Sequence, residues 1–382
     1  RTSRTPMATA TALLSRAARA ASSSPFSPPS RHLSSLPSLA TLRPRGSGGR
    51  SSFSGVIATV FGSTGFLGRY VVNNLGKVGS QVIVTWRGDE LDNRHLKLMG
   101  DLGQIVPMEA EPKDPKSLAR ALSSSTVAIN LIGKNHATIK STITDSVFHS
   151  AVATATAAKT AGVPYFVHVS CANPGAVPRD EWSRAKASAE AAVKEIYPMA
   201  IIIRPTDIFG AEDRFLTRWA RWIQARKLVA VVDGGRSKVQ PVFVDDVARV
   251  IAKVARTPKD FEGKTVMLGG PDVVTLKEIF EFTRKSIRRE SEMISVPRPL
   301  AEVLANIEGM RLPFINNSPM FTVHDLRNDL SDNILRVNRG DPNVLTFEDF
   351  GIHPHKMMSD LGDEILLQFR RGGDRSALFF VD

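Results

Sequence analysis

Val56-Ile57-Ala58-Thr59-Val60-Phe61-Gly62-Ser63-Thr64-Gly65-Phe66-Leu67-Gly68-Arg69-Tyr70-Val71-Val72 is the stretch on which the fold turns. Val56–Phe61 is a short apolar run halted by Gly62, the pattern of a strand buried on both faces. Helical periodicity follows over Gly68–Lys77. Gly62, Gly65 and Gly68 therefore lie between a strand and a helix, the setting that gives such glycines a meaning. Gly62 permits a tight turn, Gly65 lets the backbone approach a pyrophosphate, and Gly68 lets the helix pack closely on the strand. The helix N-terminus offers unpaired N–H groups and a favourable dipole to an anion. Ser63, Thr64, Phe66 and Leu67 complete the candidate phosphate loop. A bare structural turn would use the same glycines, but the strand-and-helix setting favours a nucleotide.

Outward from this loop, apolar strands alternate with helical stretches. Strands are expected at Gln81–Thr85, Ile105–Met108, Thr126–Ile132, Tyr165–Ser170 and Ala200–Ile203. Helices are expected over Pro115–Leu122, Phe148–Ala161 and Trp182–Glu195. This alternation with right-handed crossovers predicts an α/β, Rossmann-type, doubly wound parallel sheet. Beyond Arg204 the alternation loosens. Helices are expected near Arg214–Ala225, Val244–Ala255 and Leu276–Arg288, with short strands at Val229–Val232 and Thr265–Leu268. The expected organisation is a Rossmann core over residues 55–210. A smaller mixed C-terminal region over 211–382 packs beside the sheet, with an irregular interaction tail after about residue 300.

The 382 residues carry a net charge of +12, which maps unevenly. Residues 1–54 hold eight arginines and no acid, leaving +4 on the remaining 328 residues. That body charge is too mild to call for a nucleic-acid partner. The front is also rich in Ser and Ala and broken by prolines, the composition of an organelle targeting presequence. A disordered tail without an address would share that composition, and mitochondrion and plastid are not separated by it. No apolar run reaches the length of a transmembrane helix. The single cysteine, Cys171, offers neither an internal disulfide nor a metal cluster.

The end of the second strand selects between dinucleotides. An acidic residue there suits the ribose hydroxyls of NAD, and an arginine suits the 2′-phosphate of NADP. The chain reads Val84-Thr85-Trp86-Arg87-Gly88, so Arg87 points to NADP(H) over NAD(H). These residues resemble the extended and atypical short-chain dehydrogenase/reductase superfamily across roughly residues 55–290. Glu111 and Pro112, within Glu111-Pro112-Lys113-Asp114-Pro115, are similar to that family's adenine-contacting end of strand three. Leu131, Ile132 and Gly133, after Asn130, are similar to its strand-four cofactor wall. Ile203-Arg204-Pro205 and Gln240–Ala248 are typical of its extended members, which implies a cofactor role for Pro205.

The family resemblance also implies a catalytic tyrosine four residues before a lysine on one helix, a spacing that puts both on one face. Here the helix reads Trp182-Ser183-Arg184-Ala185-Lys186. Lys186 is in place as a nicotinamide-ribose contact, but Trp182 stands at the tyrosine position. An indole N–H donates a hydrogen bond and cannot act as an acid-base phenol. Tyr70, Tyr165 and Tyr197 do not repair the pair, being followed four residues on by Asn74, Val169 and Ile201. The family's catalytic serine falls on Ser170 or, in another register, its place is taken by Ala172.

A cofactor fold, an organelle address and a missing tyrosine together resemble the Rossmann-fold accessory subunit of mitochondrial respiratory complex I, the alpha-subcomplex subunit nine family. Val60–Val72, Ile201–Gly210 and Leu345–Ile352 with Leu366–Arg370 carry that resemblance. It implies a peripheral subunit on the matrix side of the inner membrane, near the quinone region. It also implies contact with other subunits of the complex and a bound NADPH that does not turn over. Two other readings compete: an active NADP-dependent reductase or isomerase using Lys186, and a plastid relative that binds RNA. No metal site is expected. His353 and His355 read as surface residues, Trp219 and Trp222 as core or interface packing, Cys171 as an inert thiol, and at least one of Asp245 and Asp246 as a helix cap.

Overall fold

The computed structural model describes residues 44–138, 141–175, 180–297, 299–301, 323–336 and 341–370. Eight strands form one sheet, in chain order β1 Ile57–Phe61, β2 Gln81–Trp86, β3 Ile105–Glu109, β4 Val127–Asn130, β5 Tyr165–Val169, β6 Ile201–Pro205, β7 Thr265–Leu268 and β8 Val344–Leu345. Their spatial order is β8-β7-β6-β5-β4-β1-β2-β3. Every neighbouring pair is parallel. The order reverses between β1 and β4, the switch point outside which open α/β sheets bind ligands. The two strands β7 and β8 come from beyond residue 210, so the sheet draws on the C-terminal half as well.

Helices cover both faces. On one lie α1 Phe66–Lys77 and, later in the chain, the helix at Val244–Arg256. On the other lie α2 Pro115–Leu122, α3 Ser150–Thr160 and α4 Glu181–Ile196. The chain continues through α5 Leu216–Ala225, α6 Val244–Arg256, α7 Leu276–Ser286, α8 Val323–Asp329 and α9 Gly362–Leu366. Val71, Val72 and Leu75 of α1 meet Val247, Val250, Ile251 and Val254 of α6 over the first face, all fully buried. Each such side chain contributes about 1.5–3 kcal/mol relative to exposure. On the second face Ala151, Ala155 and Ala158 of α3 let the backbone of that helix lie close to α2 and α4. A π-helical turn at Asp145–His149 leads into α3, so that element starts three residues before the expected Phe148.

α2 matches its expected bounds because its ends are written locally. Asp114 accepts the Lys116 and Ser117 amides at 3.0 and 3.2 Å, and Pro115 opens the helix. Asp245 and Asp246 do not act as expected. The residue before α6 is Phe243 and no side chain caps it. Asp246, fully buried, accepts the His355 amide at 2.8 Å and lies 2.9 Å from His355 Nδ1. Asp245 takes Asn74 Nδ2 at 2.7 Å and pairs with Arg249. Both carboxylates tie other segments to α6 because its first turn faces protein rather than solvent. Among the described residues no group of side chains could hold a metal ion, and no helix is long and apolar enough to cross a membrane.

The presequence expectation falls largely outside the described residues. Its last part does not: Arg45 and Phe53 form an antiparallel bridge, and the Ser54 amide donates to the Gly79 carbonyl at 2.9 Å. Residues 45–54 thus dock on the turn between α1 and β2.

Candidate nucleotide-binding site

The phosphate loop has the geometry its glycines require. Gly62 adopts φ +81°, and a Cβ there would stand 3.2 Å from the Ile132 amide nitrogen at the exit of β4. At Gly68 a Cβ would stand 2.4 Å from the Gly62 carbonyl oxygen and 2.6 Å from that of Ser63. The loop is pinned from beneath by Ser63, whose buried hydroxyl donates to the Thr85 carbonyl at 2.8 Å. Gly65 lies at the exposed start of α1, its N–H donating to the Gly62 carbonyl at 3.1 Å, with Thr64, Phe66 and Leu67 part-exposed beside it. This is a cradle for an anion built from backbone groups.

Around that cradle the sheet brings several of the expected residues together. Arg87, past the end of β2, lies 3.5 Å from Glu111, past the end of β3, with both side chains half-exposed. Glu111 and Pro112 border α2, the Glu111 amide donating to Ser117 Oγ at 3.1 Å. Leu131, Ile132 and Gly133 leave β4 beside Gly62. Pro205 ends β6 and is buried. A further loop, entered at the Gly210 that closes the Ile201–Gly210 stretch, stands on the same place: a Cβ at Gly210 would meet Phe66 Cζ at 3.0 Å. Buried Asp213 fixes this loop by accepting the Gly210, Leu216 and Thr217 amides at 3.2, 3.0 and 2.8 Å. Arg214 follows it, 3.3 Å from His136 Nδ1.

The degenerate catalytic positions lie one strand further on. Lys186 is buried under Gly133, where a Cβ would stand 2.9 Å from its Nζ. Its ammonium donates to the Val169 carbonyl at 2.9 Å and lies 5.5 Å from the Trp182 ring centroid. Burial lowers its pKa from the usual lysine value. Ser170 is buried, and its hydroxyl, like the Trp182 indole N–H, finds no hydrogen-bond partner among the described residues. Ala172 is buried beside it. Burial pushes the Cys171 thiol up to about 11, so it is protonated at neutral pH.

What stands in front of Trp182 was not legible in the sequence. α8 and the residues after it pack against the Trp182 end of the site. The His324 ring lies on Trp182 with centroids 4.5 Å apart, and His324 Nδ1 is 2.8 Å from Asp180, the N-cap of α4. Asn173 donates to the Ile334 carbonyl at 2.9 Å, and Asn328 to Asp207 at 3.1 Å. Arg218 of α5 grips Asp329 at 2.8 and 3.1 Å, both side chains being buried. A cavity of about 40 Å³ remains between Cys171, Trp182, His324 and Asn333. Sites for organic ligands are roughly 300–1,000 Å³.

Beneath the site, His168 of β5 is wholly buried beside Asn130 of β4. Asn130 Oδ1 accepts the Ile132 amide, which turns its Nδ2 toward His168 Nδ1 at 3.3 Å. That assigns Nδ1 as the acceptor and the ring proton to Nε2. Burial lowers the His168 pKa from 6.5 to about 3. The unfolded chain therefore binds this proton first, and stability falls as pH drops below 6.5 toward 3. At pH 5 the expected loss from this group is about 2 kcal/mol. Denaturant unfolding of the wild type and His168→Gln at pH 7.5 and pH 5 checks it; an equal pH effect in both would refute it.

Residues 58–269 match the NAD dependent epimerase/dehydratase family. Among solved structures, an NADPH-dependent quinone oxidoreductase from Escherichia coli superposes with TM-score 0.62 at 17% identity, over 80% of this chain and 98% of that one. Triphenylmethane reductase from Citrobacter superposes with TM-score 0.61 at 16% identity, over 82% and 99%. These likenesses are of fold. Sequence relatives are nearer. The NADH dehydrogenase (ubiquinone) 1 alpha subcomplex subunit 9 of Arabidopsis thaliana is 40% identical over 333 residues, covering 86% of this chain and 82% of the relative. The mouse subunit of the same name is 46% identical over 263 residues, 67% of each. A Neurospora crassa NADH-ubiquinone oxidoreductase 40 kDa subunit is 33% identical over 310 residues, covering 81% of this chain and 79% of the relative. The chain belongs to the NAD dependent epimerase/dehydratase family and, within it, to the family of the mitochondrial alpha subcomplex subunit 9 proteins.

Proposed function

We propose that this chain is a non-catalytic accessory subunit of mitochondrial NADH:ubiquinone oxidoreductase that holds NADPH as a structural ligand. It associates peripherally through other subunits on the matrix side of the inner membrane, near the quinone region. The observation that carries the non-catalytic part is the α8 segment seated against Trp182, where a second substrate would have to meet the nicotinamide. The names of its relatives support the assembly and the mitochondrial address. Arg87 beyond β2 supports NADPH over NADH.

The residues present fit such a ligand. The Gly62–Gly68 backbone would take the pyrophosphate, Arg87 the 2′-phosphate, Glu111 and Pro112 the adenine side, and Leu131–Gly133 with Lys186 the nicotinamide ribose. When bound, the nicotinamide supplies hydride chemistry in principle. Trp182 offers only an indole N–H, and Lys186 spends a proton on the Val169 carbonyl, so no phenol is poised to move a proton with it. A ligand that binds only the folded chain stabilises it by mass action, about 2.7 kcal/mol at one hundred times its Kd. It thereby ties together the loops after β1, β2, β3 and β4 without turning over.

Trp182→Tyr restores the family's spacing to Lys186. The expected outcome is still no oxidation of NADPH with aldehydes or quinones, because His324 remains over that position; turnover would refute blockage by α8. For the assembly itself, the tagged chain from mitochondria should co-migrate with the respiratory complex on a native gel. A free monomer that oxidises NADPH with a carbonyl substrate would overturn the proposal.

A further inference from the structure

The ends of β2 and β3 are held together beside the phosphate loop. Ser63 of that loop donates to the Thr85 carbonyl at 2.8 Å, two residues before Arg87. β2 and β3 stay in register as far as Trp86 and Glu109, and the Ala110 amide donates to the Trp86 carbonyl at 3.0 Å. Arg87 and Glu111 therefore leave the sheet side by side, with Arg87 Nη1 3.5 Å from Glu111 Oε1. The two are held differently. The Glu111 amide donates to Ser117 Oγ at 3.1 Å, and its carbonyl accepts the Asp114 amide at 2.9 Å, so its backbone is fixed on both sides. Arg87 precedes Gly88, whose φ of +90° and open surroundings leave the turn uncrowded. The acids that follow serve their own segment: Asp89 accepts the Leu91 amide at 2.8 Å, and Glu90 pairs with Lys97 at 3.6 Å. An ion pair as open as Arg87–Glu111 is weak, so a phosphate can take the guanidinium from it. The anchored backbone of Glu111 keeps its carboxylate beside whatever Arg87 then binds.

We propose that Glu111 is a specificity-determining residue of the nucleotide site, opposing Arg87 in the choice between NADPH and NADH. This rests on the nucleotide reading above and names the group that limits its selectivity. A 2′-phosphate gains Arg87 but is repelled by the carboxylate next to it. A free 2′-hydroxyl meets no such repulsion and donates to that carboxylate, which only accepts. Glu111 thereby lowers affinity for NADPH and raises it for NADH, and the chain's preference is the difference between the two side chains.

Calorimetric titration of the full chain with NADPH and with NADH, for wild type, Glu111→Gln and Glu111→Lys, provides the test. The replaced side chain is half-exposed and the backbone bonds stay, so both variants keep the fold. Glu111→Gln should tighten NADPH about tenfold, the size of one like-charge contact near a protein surface. The same change should weaken NADH about threefold, the size of one hydrogen bond. Glu111→Lys should tighten NADPH further. An equal change for both nucleotides, the mark of an adenine contact or a structural role, overturns the proposal, as does unchanged affinity for both. A wild-type chain that binds neither nucleotide fails differently, by removing the nucleotide reading itself.

Discussion

Gly68→Ala is expected to abolish nucleotide binding while leaving a folded but weakened chain. The added methyl would meet the Gly62 and Ser63 carbonyl oxygens at 2.4 and 2.6 Å and the Ser63 carbonyl carbon at 2.8 Å. All three are backbone, so no flexible side chain can give way, and α1 must move off the loop. Overpacking of this kind costs about 1–3 kcal/mol. The larger consequence is for the ligand, because the cradle depends on α1 presenting its first N–H groups to the loop. Gly65→Ala is the informative control. Its Cβ would find only the Gly62 carbonyl at 3.2 Å, and its φ of −73° suits any residue. Gly65→Ala should therefore melt like wild type yet bind nucleotide poorly, because its methyl group intrudes where the phosphate approaches. Melts without nucleotide, paired with titrations, separate the two; a Gly68→Ala chain that binds like wild type would refute the packing role.

The second large effect is expected at Arg218. Arg218→Met leaves Asp329 buried without its cation, at a cost of about 3–5 kcal/mol. Arg218 and Asp329 join α5 to α8, and Ser237 Oγ adds a bond to the Asp329 carbonyl at 2.6 Å. Loss of the pair should release the segment from His324 to Asn333 before the sheet unfolds, since its remaining ties are a small apolar cluster of Leu326 with Val232, Val296 and Ala301, one backbone bridge from Asn333 to Val239, and scattered polar bonds. Hydrogen exchange should then quicken across residues 323–336 and leave β1, β4 and β5 protected. Replacing both partners, Arg218→Met with Asp329→Leu, should recover most of the stability. Equal exchange in all elements would contradict a separable α8.

These two sites differ in how far the sequence announced them. The β1-loop-α1 unit was legible because its signals are local: an apolar run, three glycines at fixed spacing, then a helical period. α2 was legible for the same reason, through Asp114 and Pro115. The α8 plug gave no signal. His324, Asn328 and Asp329 are short polar residues without periodicity, and their partners Asp180, Asp207 and Arg218 lie 144, 121 and 111 residues away. Asp245 and Asp246 show the converse: a cap signature at the start of α6 that non-local partners, Asn74 and His355, take over. β8, only two residues long, joins the sheet through pairing with β7 that no pattern in Val344-Leu345 encodes.

The most direct test of a nucleotide held rather than used is to identify it in the protein itself. The chain should be isolated from mitochondria, challenged with ubiquinone and aldehyde substrates, then denatured and its nucleotide analysed by mass spectrometry. Stoichiometric NADPH, still reduced after the challenge, is the expected result. Release of NADP⁺ in step with substrate reduction, or a chain that carries no nicotinamide dinucleotide, would contradict it.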